Sequence, residues 1–88
     1  MTRNKFEQIE MWCEKQSDAD APLSYEAYRE GRYGLQLRCF HPLEYPSEDE
    51  GALYFFAEFA DWLRDEFNLR ERSHGWMTDH VWTVEYDG

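Results

Sequence analysis

The chain has 88 residues, with 19 acidic and 9 basic side chains and a formal net charge of −10. At 42% apolar and 18% aromatic it is too hydrophobic for a disordered acidic tail. It has no apolar run of the roughly 18 residues a membrane span needs, and no h-region follows Arg3 and Lys5. Its charge also argues against direct binding to nucleic-acid phosphates. These observations predict one soluble domain over residues 1–88, with no membrane association. The two cysteines, Cys13 and Cys39, are too few for a disulfide-built secreted scaffold. They read as reduced thiols of a cytoplasmic protein, with a single bridge between them left open.

A first helix is expected from about Arg3 to Gln16, with Thr2 as N-cap. Phe6, Ile9 and Cys13 share its apolar face, Trp12 and Gln16 flank them, and Glu7, Glu10 and Glu14 line the opposite side. Met11 falls among the glutamates and should be exposed. A β-hairpin follows, Leu23–Arg29 and Tyr33–Phe40, turning at Glu30-Gly31-Arg32. An odd loop of three residues pairs Ala27 with Leu35, Tyr25 with Leu37 and Leu23 with Cys39. It sets Glu26 opposite Gln36 on the solvent side. The stretch from His41 to Pro46 is a stiff connection.

The strongest signal is a second helix from about Glu48 to Phe67, in which Ser47 and Glu50 have the spacing of a capping box. At 100° per residue, Ala52, Leu63, Phe56, Phe67, Ala60 and Leu53 fall in one arc facing the core, with Phe59 at its border. Glu50, Tyr54, Glu58, Asp61 and Asp65 fall in a separate outer arc. Phe55 and Trp62 lie between the arcs. The simpler expectation for them is a second hydrophobic edge covered by the C-terminal strand; exposed, they would be aromatic anchors for a partner. A last strand, about His80–Tyr86, alternates Trp82, Val84 and Tyr86 against Val81, Thr83 and Glu85. Arg70–Met77 carries no readable period. The expected architecture is α+β, a two-layer α-β-β-α-β domain with a three-stranded antiparallel sheet and both helices on one face.

Chemistry finds little purchase in this pattern. Cys39 and His41, with Cys13, His74, Asp79 or His80, could be assembled into a tetrahedral site, but their spacing matches no zinc motif. Both thiols fall on apolar faces of an acidic domain, where a nucleophilic thiolate is disfavoured. The carboxylates line solvent faces instead of a pocket that would tune them as acid or base. The glycines at 31, 34, 51, 75 and 88 form no phosphate loop. No catalytic residue, metal or cofactor is therefore assigned, and an enzyme is not expected.

The charge distribution says more. Residues 1–40 hold seven acids and six bases, whereas residues 41–88 hold twelve acids and three bases. Glu50, Glu58, Asp61 and Asp65 stand with Tyr54 along one helical stripe, about 5–6 Å apart at Cβ, a spacing comparable with that of charges along a nucleic-acid backbone. Like charges so close destabilise a free helix by some tenths of a kcal/mol each, which a partner bearing Lys and Arg would relieve. The expected function is a non-catalytic inhibitor that occupies a basic nucleic-acid-binding surface of another protein. Its contact residues would be Glu44, Glu48, Asp49, Glu50, Tyr54, Glu58, Asp61, Trp62 and Asp65. In size and charge the chain is similar to small acidic anti-CRISPR and anti-restriction proteins. The alternatives are an immunity protein against a nuclease toxin and an oligomeric structural or adaptor module. Monomer and homodimer both remain open.

Overall fold

A computed structural model describes residues 1–43 and 45–87. Helix α1 (Arg3–Ala19) starts at Thr2, whose hydroxyl accepts a 3.2 Å hydrogen bond from the Lys5 amide. It runs three residues beyond the expected end. The Ser17 hydroxyl donates to the Cys13 carbonyl and accepts from the Tyr25 amide, which ties this added turn to the next element, and the Asp20 amide closes the helix on the Gln16 carbonyl. Ile9 and Cys13 are buried, while Met11 is exposed as its place among the glutamates requires.

Strands β1 (Ser24–Glu30) and β2 (Gly34–Phe40) form the hairpin, with Gly31-Arg32-Tyr33 as its three-residue loop. The loop is odd as expected but lies one residue further along the chain. The two glycines explain the shift. Gly31 adopts φ +61°, and a Cβ at Gly34 would overlap the Glu30 carbonyl oxygen, so only glycine lets the strands close there. The register therefore slips by two residues: Ala27 pairs with Leu37, Tyr25 with Cys39 and Glu26 with Arg38. An even slip leaves every side chain on its intended face, which is why the core prediction survives a wrong register.

Helix α2 (Glu50–Phe67) begins two residues later than expected. Ser47 does not cap it, because Pro46–Glu48 forms a 3-10 turn in which the Ser47 amide and hydroxyl both bond Asp79. Asp49 is the cap, and its carboxylate accepts from the amides of Gly51 (2.8 Å) and Ala52 (3.3 Å). The buried arc is rotated about 20° from the expected one. Phe59 joins Ala52, Phe56, Ala60 and Leu63 inside, and Leu53 is left partly exposed. Phe59 packs inward on Tyr25, with ring centroids 4.1 Å apart.

The sheet has four strands, not three. Strand β3 (Arg70–Trp76) occupies the unreadable segment and pairs antiparallel with β4 (Val81–Asp87), giving the order β1-β2-β4-β3. Arg-Glu-Arg-Ser-His-Gly-Trp has no apolar alternation because an edge strand with both sides largely wet requires none. Pairing with β4 makes it a strand. One sheet face, bearing Tyr25, Leu35, Leu37, Cys39, Trp82, Val84 and Tyr86, packs against Ile9 and Cys13 of α1 and Phe56, Phe59, Ala60 and Leu63 of α2. The Tyr86 hydroxyl donates to the Ala60 carbonyl at 2.7 Å, fastening the sheet to α2 from within the core. The opposite face of the sheet is open to solvent.

Candidate interaction surface

The outer face of α2 is built by the same periodicity that buries its inner face. Once Phe56, Phe59 and Leu63 turn inward, Glu50, Tyr54, Glu58, Asp61 and Asp65 must point out, and all five are exposed. Helix α2 alone carries five carboxylates and one arginine.

The contact residues expected from the sequence separate into groups. Glu44 lies outside the described residues. The Asp49 carboxylate is occupied with capping, and Glu48 stands exposed in the turn before it. Asp61 and Asp65 are bracketed by Arg64, at 3.3 and 3.1 Å. The hydrogen bond to Asp65, reinforced by the Asp65 charge, holds the guanidinium more firmly protonated than usual. Two carboxylates share one cation, so the group keeps a negative charge. Glu50 and Glu58 are exposed, and neither is ion-paired among the described residues. The Arg64 pairing was legible as an i,i+3 spacing with Asp61, but counting acids by arc passed over it.

The aromatic residues depart from the simpler expectation. Strand β4 lies inside the sheet, between β2 and β3, and does not cover Phe55 and Trp62, which are 49% and 47% exposed. Trp62 leans edge-to-face on Trp12 of α1, with ring centroids 4.8 Å apart, and on Phe59. Tyr54 is 65% exposed and meets Phe55 edge-on. Tyr54 thus stands within the acidic stripe, and Phe55 and Trp62 border it, all three partly open to solvent.

The groups considered for chemistry are scattered or inert. Burial, with the Glu10 charge added, pushes the Cys13 thiol up to about 12; burial, with Cys13 beside it, pushes Cys39 well above the usual thiol range. Both are free, so no bridge joins them, and neither supplies a thiolate near neutrality. His41 accepts from the Leu43 amide, His74 Nδ1 lies 3.5 Å from a Glu71 carboxylate oxygen, and His80 stacks on Tyr45. Among the described residues no three His, Cys, Asp or Glu side chains are gathered as metal ligands would be, and no helix is long and apolar enough to cross a membrane. No protein-family model, curated protein or solved structure matches the chain.

Proposed function

We propose that the protein is a non-catalytic binding protein that lays the outer face of α2 on a basic surface of another protein and excludes nucleic acid from it. One observation carries this reading: half-exposed aromatic rings stand among carboxylates that the fold leaves largely unanswered. Tyr54, Phe55 and Trp62 supply area of the kind that dominates binding energy at interface centres. Glu48, Glu50, Glu58 and the Asp61–Arg64–Asp65 group add net negative charge beside them. Such a rim steers a cationic partner and makes association fast at low salt and weaker at high salt.

The test is affinity capture from host lysate at low and high salt, with the captured protein identified and assayed for nucleic-acid binding. A basic partner should be recovered at low salt, released at high salt, and blocked from nucleic acid by stoichiometric protein. Glu50→Lys/Glu58→Lys/Asp61→Lys should abolish capture, and Trp62→Ala should weaken it about tenfold or more. Capture undiminished by the triple substitution, or a captured partner that still binds nucleic acid, would refute the proposal. A nuclease as partner would narrow the role to immunity against that enzyme.

A further inference from the structure

The two edges of the sheet are protected differently. At β3 the pairing with β4 breaks between Glu71 and Ser73, and a bulge of this kind twists an edge away from new partners. At β1 the register with β2 is unbroken over seven residues. The outward backbone of β1 can be followed residue by residue. The Tyr25 amide donates to the Ser17 hydroxyl at 2.9 Å, so Tyr25 turns its N–H away from β2. Alternation along an antiparallel ladder turns the N–H and C=O groups of Ala27 and Arg29 the same way. Ser17 occupies the edge at Tyr25; no loop or side chain among the described residues bonds the backbone at Ala27 or Arg29.

Helix α1 does not close over this edge. A groove of about 480 Å³ runs between them, with Glu10, Glu14 and Asp18 on the helix wall and Glu26 and Tyr28 on the strand. These four carboxylates are exposed, and none is ion-paired among the described residues. We infer that the open edge of β1 is a strand-addition site for an extended, lysine- or arginine-rich peptide segment. Ala27 and Arg29 supply two donors and two acceptors in register for an incoming strand. Side chains of that strand alternate between the helix wall, where they meet Glu10, Glu14 and Asp18, and the open side, where they meet Glu26. Both parities therefore favour cations. A second copy of β1 fits poorly, since it would bring its own Glu26 and its own acidic groove against these. The site lies on α1 and β1 and is independent of the function proposed for α2.

The test uses the full chain and a blocked heptapeptide of alternating lysine and threonine, followed by amide exchange and a binding titration. Saturable binding is expected, with the Ala27 and Arg29 amides gaining protection. N-methylating one alternate set of peptide amides should weaken binding about tenfold or more, while methylating the other set leaves it unchanged. Ala27→Pro removes an outward donor without touching the β2 ladder and should abolish binding; Glu14→Gln/Asp18→Asn, which spares the backbone, should weaken it if the proline variant does not fold. Glu50→Lys/Glu58→Lys/Asp61→Lys should leave it unchanged. Absence of binding, equal binding by both methylated peptides, or protection appearing away from β1 would overturn the inference.

Discussion

The open face of the sheet and the outer face of α2 are both polar and rich in carboxylates, yet the chain treats them differently. On the sheet, acids meet the chain's own cations. Arg72 reaches Glu30 at 2.6 Å, Glu85 at 3.2 Å and Asp87 at 3.3 Å, tying β1, β4 and the β3 bulge together. Glu26, opposite Arg38 in the β1–β2 register, accepts from the Tyr28 hydroxyl instead, and Arg38 lies over the Tyr28 ring at 4.1 Å while its Nε donates to Gln36. On α2, one arginine serves Asp61 and Asp65, and Glu50 and Glu58 stand apart from it, as does Glu48 in the preceding turn. The difference teaches that carboxylates on the sheet join strands through Arg72, whereas most of those on α2 make no contact between elements, so that replacing them should change stability little.

Substitutions on the two sides of α2 should sharpen that contrast most. Phe56 is fully buried and touches the rings of Tyr25, Trp76 and Trp82, so Phe56→Ala should cost about 3–5 kcal/mol in urea unfolding. Trp62→Ala, which removes a half-exposed ring and its edge contact with Trp12, should cost about 1 kcal/mol. Comparable losses would mean that the outer rings belong to the core and not to a docking surface.

Arg72→Ala should come next, at about 1–2 kcal/mol, because it leaves three carboxylates facing one another without their shared cation. The side chain is 44% exposed, so solvent screens the network and the loss should shrink in high salt. Its pH signature is specific. Partial burial opposes ionisation of Glu85, but hydrogen bonds from Ser73, Arg72 and Gln36 prevail and hold its carboxyl below the ordinary value of 4.5. The unfolded chain therefore takes up the proton first as pH falls. The stabilisation is fully present above 4.5 and is lost as pH drops through the depressed folded value. In Arg72→Ala that acid limb should flatten, as read from unfolding midpoints between pH 5 and pH 2; an unchanged limb would remove Arg72 from the account.

The two faces were not equally legible in the sequence. Period and parity place α1, α2, the hairpin and the last strand, because each buries an apolar stripe and a stripe has a readable repeat. They miss β3, whose wet residues have no stripe, and with it the whole open face that Arg72 organises. The register and the cap of α2 were missed for a different reason. In each case the structure takes a neighbouring solution of the same kind, Asp49 in place of Ser47 and a loop one residue later. Tertiary contacts choose between them: Asp79 engages Ser47, and Gly34 admits the Glu30 carbonyl. The outer stripe of α2 was legible because it is the complement of the core arc, while the pairing of its acids depended on where the Arg64 side chain settles. The partial exposure of Trp62 depended on how α1 docks, which no local pattern contains.

The smallest expected effects decide whether the two faces truly differ. Glu85→Gln should cost about 1 kcal/mol, since it weakens the charged hydrogen bonds from Arg72 and Ser73. Glu58→Gln should be neutral or stabilising by a few tenths of a kcal/mol, since it removes repulsion with Asp61 one turn away. Added salt should erase that gain. Glu50→Gln should run the other way by a few tenths, because Glu50 opens the helix and favours the positive end of its dipole. Urea midpoints at low and high salt would resolve the signs. If Glu58→Gln proves as costly as Glu85→Gln, α2 needs its outer carboxylates for folding, and the ground for assigning them to a partner disappears.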